Sequence, residues 1–205
     1  LDNVIDVNKY PSTSIREITN KNRKIGLGVM GFAHMLIKLG VSYDSHEAEA
    51  IAEKVMSFIQ RESKSASLQL AHERGVFPNF KGSIWDTKNL PQRNATTTTI
   101  APTGTLSLIA GTSSGIEPLY DTVYTRVLFG DIEVSIKDPL FEEMKKTSAQ
   151  NLENLFRKAY QISPEYHLKI QKRFQDHVDN AVSKTINLPE DTQPETILRI
   201  YHEAY

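Results

Sequence analysis

The 205-residue sequence contains no cysteine. Disulfides, thiolate metal sites and thiol chemistry are therefore excluded within it. It also lacks an excess of either charge: 24 Lys and Arg stand against 25 Asp and Glu, a net charge of −1. Without a basic surplus there is no electrostatic footprint for a phosphate backbone, so no nucleic acid is expected as a primary partner. No apolar run approaches the roughly 18 residues of a membrane span. The opening LDNVIDVNKYP places two acids before its first base and has no apolar stretch of the kind a secretory signal needs. No membrane partner is expected, and the expected compartment is cytoplasmic. What remains is ordinary for a globular chain: 39% hydrophobic and 24% charged residues, long enough to build a core without covalent staples.

The pattern along the chain is mostly helical. Leu1, Val4 and Ile5 begin an apolar periodicity with no cap before them, and Ile197, Leu198, Ile200 and Tyr201 form an amphipathic stretch with no terminator after it. The expectation is one segment, 1–205, of something longer. Asn20 to Lys24 reads as a polar connector and Met30 to Leu39 as a short helix ended by Gly40. The longest helix is expected over Asp44 to Arg74, with Ile51, Val55, Ile59, Ala66 and Leu70 on one face. Asp44 followed by Glu47 predicts its N-cap and Gly75 its end. Val76 to Arg93, rich in Pro, Asn and Gly, is expected to be a long loop. Strands are predicted at Ala95–Ile100, Val123–Phe129 and Ala181–Leu188. Helices are predicted at Pro139–Thr147 and Asn151–Tyr160. Another follows Ser163-Pro164, and a last one is capped by Thr192-x-x-Glu195.

Gly26-Leu27-Gly28-Val29-Met30-Gly31 matches G-x-G-x-x-G, and Asp44 stands where a ribose-binding acid might follow. That motif means dinucleotide binding only when a buried strand feeds it. The feeding segment is Asn20-Lys21-Asn22-Arg23-Lys24, with Ile25 its first apolar residue, whereas a central parallel strand is a run of Val, Ile and Leu. These glycines are therefore expected to be structural, allowing a tight turn and close packing at a helix entry. The six histidines, His34, His46, His72, His167, His177 and His202, form neither HxH nor HExxH spacing, so no metal ligand is assigned.

The informative stretch is RNATTTTIAPTGTLSLIAGTSSGIEP, residues 93–118. Thr103-Gly104-Thr105-Leu106-Ser107 combines small residues with amide and hydroxyl donors and adds no charge, which suits a phosphate or diphosphate. On composition alone an ordinary Ser/Thr-rich turn is the better reading, because such turns are common.

The blocks RNATTTT at 93–99, IAPTGT at 100–105 and SGIEP at 114–118 resemble the large catalytic subunit of ribonucleotide reductase. The likeness is greatest to its adenosylcobalamin-dependent (class II) branch. LDNVIDVNKYP, NRKIGLGVMGFAHML at 22–36, GVFPNFKGSIWD at 75–86 and DNAVSKTINLP at 179–189 agree in order, so the resemblance covers essentially the whole chain. It implies an α/β fold: a partial ten-stranded α/β barrel, this chain being most of the second half-barrel, mostly helical with a few short strands. It implies replacement of a ribonucleotide's 2′-hydroxyl by hydrogen through a thiyl radical generated from adenosylcobalamin, supplying deoxyribonucleotides for DNA replication. By the same resemblance, the loop Pro102, Thr103, Gly104, Thr105, Leu106 and Ser107 holds the substrate phosphates, which reverses the compositional reading.

The family's radical cysteine, reducing cysteines and neighbouring Asn and Glu match no position here, so no catalytic residue is assigned and these residues alone are expected to be inactive. The implied partners are the ribonucleotide substrate, the rest of the catalytic subunit, a second copy in a homodimer, and an external dithiol such as thioredoxin. Two alternatives stay open at this stage: a branch taking its radical from a separate metal-containing subunit, and an inactive nucleotide-binding module.

Overall fold

A computed structural model describes residues 1–128, 130, 132–146 and 152–205. Its elements in order are α1 (Asp2–Val7), α2 (Thr13–Asn22), α3 (Phe32–Leu39), α4 (His46–Arg74), α5 (Ile84–Thr87) and α6 (Gly104–Ala110). There follow β1 (Val123–Leu128), β2 (Ile132–Lys137), α7 (Pro139–Lys146), α8 (Leu152–Leu155), a 3₁₀ turn (Ala159–Gln161), α9 (Pro164–Gln175) and α10 (Pro194–Ala204). Among the described residues the named strands form one antiparallel hairpin, with Val123 opposite Lys137 and Leu128 opposite Ile132. The predicted end of its first strand, Phe129, and the predicted helix residues Thr147 and Asn151 lie outside the described residues.

The backbone divides into two compact units. The first comprises Leu1–Gly28, Lys54–Ile100 and His177–Ala181. Its interior is unusually polar. Asn94, Thr97 and Thr98 are buried, and the peptide ladder runs from the segment 25–27 to 96–99 and on to 180–181. Ile25 N–H donates to Thr96 O, Leu27 N–H to Thr97 O, and Asn180 N–H to Thr98 O. The predicted strand at Ala95–Ile100 is thus an extended segment with isolated bridge positions, Thr98 pairing in parallel with Leu27, and does not extend into a ladder of strand length. Its threonines bond sideways instead. Thr97 donates through both its N–H (2.6 Å) and its hydroxyl (3.1 Å) to Asp179 Oδ2, which also takes Lys64 Nζ.

The glycine motif packs against this segment. A Cβ on Gly28 would lie 2.1 Å from Thr99 O, and one on Gly26 2.4 Å from Thr99 Cγ2. Only hydrogen fits there, so the structural reading of these glycines holds. α2 ends at Asn22, and no buried strand feeds the motif.

The second unit comprises Val29–Glu53, Ala101–Asp176 and Val182–Tyr205. α3 is apolar almost throughout, and Phe32, Ala33, Leu36 and Ile37 are buried. Phe32 meets Phe174 of α9 edge to face at 5.0 Å between ring centroids and Tyr43 at 6.0 Å. Gly40 in the left-handed region ends α3 as predicted.

Other expectations need correction. The expected polar connector Asn20 to Lys24 is helical through Asn22, and the helix expected over Asn151 to Tyr160 reduces, among the described residues, to Leu152–Leu155 and the 3₁₀ turn. α4 is capped by Ser45, whose Oγ accepts from Ala48 N–H, while Asp44 instead binds Ser42 and Arg157. α10 begins after Gln193, and the Thr192 hydroxyl turns back to Pro189 O rather than capping the helix. Residues 181–188 form no strand: the Thr185 N–H bonds a carboxylate side chain, Glu117, in place of a neighbouring strand. In addition, the expected loop at 76–93 contains the short helix α5, capped by Ser83.

Candidate functional site

The segment 101–118 lies wholly within the second unit. Thr103 precedes α6 in the left-handed region, φ 52° and ψ 25°. That conformation is uncommon for a β-branched residue. It is held by the Gly115 N–H, which donates to Thr103 Oγ1 at 2.8 Å, and by the Ser107 N–H, which donates to Thr103 O at 2.8 Å. A left-handed residue followed by helical ones turns successive N–H groups toward one concave side, where an anion is favoured. The N–H groups of Gly104, Thr105 and Leu106 belong to the first turn, which has no intrahelical acceptors to offer them.

The six loop residues divide by role. Pro102, Thr105 and Leu106 are exposed, Thr103 and Gly104 half-buried, and Ser107 buried. The Ser107 hydroxyl donates to Gly104 O at 3.2 Å and pairs with Ser114 Oγ at 2.8 Å, so it braces the loop. The Thr103 hydroxyl oxygen is engaged by Gly115. Thr105 therefore presents the most accessible hydroxyl of the loop. The segment 112–115 is the frame on which the loop rests, with a third tie from Thr112 N–H to Ser107 O at 3.0 Å.

Gly104 and Ser107 line a cavity of about 270 Å³ together with Ser114, Glu117, Asp121, Asp138, Thr185 and Asn187. Each of its three carboxylates has a partner: Glu117 with Lys184 at 2.7 Å, Asp121 with Lys158 at 2.8 Å, and Asp138 with His34 Nε2 at 2.7 Å. The hydrogen bond from Lys158 holds Asp121 below the usual carboxylate range and raises Lys158 in return. Asp138 also accepts the Phe141 N–H at the start of α7, and His34 Nδ1 meets Thr112 Oγ1 at 3.2 Å. His34 is thus a buried tie between elements.

His167 is fully buried, its Nε2 against the Ala159 carbonyl at 3.1 Å and its Nδ1 against Lys184 Nζ at 2.7 Å. Burial, aided by the Lys184 charge, lowers its pKa to about 4. Burial likewise lowers Lys184, against the opposing pull of Glu117. Among the described residues no group of three or more His, Asp or Glu side chains is arranged to hold a metal ion.

Reasoning from the sequence reached the loop and missed its surroundings. Glu117 sits inside one of the blocks that carry the family resemblance, and Lys184 is the lone charge in AVSKTINL. A lysine in a segment otherwise apolar and small was the available signal. His167 gave none beyond its place on the inward face of α9.

The whole chain matches a family model described as the ribonucleotide reductase barrel domain, over residues 1–92 and 86–205. It is 47% identical to a vitamin B12-dependent ribonucleoside-diphosphate reductase of Thermoplasma acidophilum, over 100% of this chain and 29% of that protein. A protein of the same name from Mycobacterium tuberculosis is 40% identical over 100% of this chain and 33% of its own length. The chain therefore spans about a third of the length of these curated relatives. Among solved structures it superimposes on an Actinobacillus ureae class Id ribonucleotide reductase alpha subunit with a TM-score of 0.82. That match is at 22% identity and covers 100% of this chain and 42% of the other, a likeness of fold.

Proposed function

Because the chain belongs to the ribonucleotide reductase barrel-domain family, we propose that it is the phosphate-binding portion of a catalytic subunit that reduces ribonucleoside diphosphates to deoxyribonucleotides. In this reading it forms the C-terminal part of the barrel domain, most of the second half of a ten-stranded barrel. The observation that carries the loop's role is the left-handed Thr103 followed by first-turn N–H groups, at the edge of a cavity lined by Gly104 and Ser107. Amides at Gly104, Thr105 and Leu106 and the Thr105 hydroxyl bind the diphosphate without a cation, and Pro102 fixes the approach to the turn. Ser107 and Thr103 hold the loop's shape.

The reduction itself falls to residues outside these 205, since a thiyl radical needs a cysteine and this chain has none. The rest of the subunit, a second copy in a homodimer and an external dithiol such as thioredoxin complete the cytoplasmic enzyme. The higher identity to proteins named B12-dependent favours adenosylcobalamin as the radical source over a separate metal-containing subunit. The loop site does not fit that cofactor. The loop cavity, about 270 Å³, has the scale of part of a nucleotide rather than of a corrinoid. His34 and His167 have both ring nitrogens engaged.

The test is kinetic, in the complete subunit. Replacing Thr105 and Ser107 together by Ala is expected to raise KM for a ribonucleoside diphosphate several-fold, from about 1 kcal/mol per hydrogen bond lost. Unchanged KM in the double variant would remove those two hydroxyls from the site.

A further inference from the structure

Lys184 lies behind the cavity wall with its side chain at 0% exposure. Its Nζ donates to Glu117 Oε2 at 2.7 Å and to His167 Nδ1 at 2.7 Å. The neutral imidazole supplies a lone pair and no charge, so the ammonium is balanced by Glu117. The other Glu117 oxygen accepts the Thr185 N–H at 2.6 Å. Glu117 shares the cavity wall with Gly104 and Ser107, and its own N–H donates to Ser114 O at 2.9 Å. Ser114 in turn holds Ser107. A continuous set of bonds thus runs from the buried ammonium through Glu117 and its segment to the phosphate loop.

A fully buried lysine is rare, and a buried ion pair is weak evidence for stability because an apolar pair of similar volume often serves as well. Its consequence here is electrostatic. A bare carboxylate on the wall of a cavity that takes a polyanion would repel that ligand, and the low dielectric of a partly enclosed wall strengthens the repulsion.

We propose that Lys184 is a positioning residue for the phosphates of the nucleotide substrate, cancelling the Glu117 charge on the cavity wall and fixing the segment that braces the loop. This rests on the reading that residues 102–107 receive those phosphates. Lys184 acts through Glu117 and does not touch the ligand.

The experiment uses the complete catalytic subunit, with inorganic diphosphate as a phosphate-only inhibitor and a ribonucleoside diphosphate as substrate. Lys184→Met is expected to raise the inhibitor Ki and the substrate KM about tenfold while kcat changes by no more than about twofold. Glu117→Gln, which removes the repulsive charge, is expected to keep both constants at or below their original values. The combined variant is expected to return them to within about threefold of the original, on the same scale. Should Lys184→Met fail to fold, the Glu117→Gln and combined variants decide. An unaltered Ki in folded Lys184→Met overturns the proposal. So does a Glu117→Gln variant whose KM rises, the outcome of a purely structural pair. If the Thr105 and Ser107 variant raises KM while Lys184→Met does not, this inference falls alone; if neither variant raises KM, the underlying reading falls with it.

Discussion

Asp2 and Arg23 are 5% and 4% exposed. Arg23 donates to Asp2 and, through two nitrogens, to Asp6, while Asn94 donates to Asp2 at 3.0 Å. Burial alone would raise the Asp2 carboxyl; the hydrogen bonds from Arg23 and Asn94 and the fields of Arg23 and Arg93 outweigh it, and the net pKa is lowered. Arg23→Met leaves Asp2 buried without its main partner and is expected to cost about 3–5 kcal/mol of stability, whereas Asp6→Asn, at a half-exposed pair, costs under about 1 kcal/mol. Urea unfolding of the two variants checks the ranking; equal losses would contradict it.

His167 gives a pH dependence. Its folded pKa of about 4 lies below the 6.5 usual for an imidazole, so the unfolded chain binds more protons between those values. The stabilisation from keeping His167 neutral is complete above about pH 6.5 and is lost as pH falls toward 4. The thermal midpoint of the complete subunit is expected to fall through that window, and His167→Gln to flatten the fall. An equally steep profile in the variant would show that another group governs it. Neither cluster was legible in the sequence, because its members lie far apart in the chain and only tertiary packing brings them together.

Periodicity and end signals carried most of the helices. α3 with Gly40, α4 with Gly75 and α9 with Pro164 at its first turn all follow from local rules. The strands at 95–100 and 181–188 were misread for one physical reason. β-propensity reports an extended, half-buried backbone, and there the partners are single bridges and side chains rather than long ladders. Acid caps were over-weighted where a serine one residue on did the capping. The glycine motif tests packing at this scale. Gly28→Ala places a methyl against Thr99 O and is expected to cost about 1–3 kcal/mol by forcing the 25–28 and 96–100 segments apart. Thermal unfolding decides it, and a stability change within about 0.5 kcal/mol would contradict the close approach.

For the whole molecule, composition excluded more than it assigned: no thiol chemistry, no basic footprint, no helix long and apolar enough to cross a membrane among the described residues. The blocks at 93–118 and their ordered companions carried the family, while the cavity beside them needed the fold. It is assembled from α6, the segment 112–121, Tyr124, Asp138, Ala159, Thr185 and Asn187, which no local pattern links. We propose that this chain belongs to a cobalamin-dependent ribonucleotide reductase. The most direct measurement is to incubate the complete subunit, alone, with a ribonucleoside diphosphate, adenosylcobalamin and a dithiol, and to quantify the 2′-deoxy product. The expected result is turnover that depends on adenosylcobalamin and needs no second protein subunit. Turnover that appears only with a metal-containing partner subunit, or no deoxynucleotide at all, would contradict it.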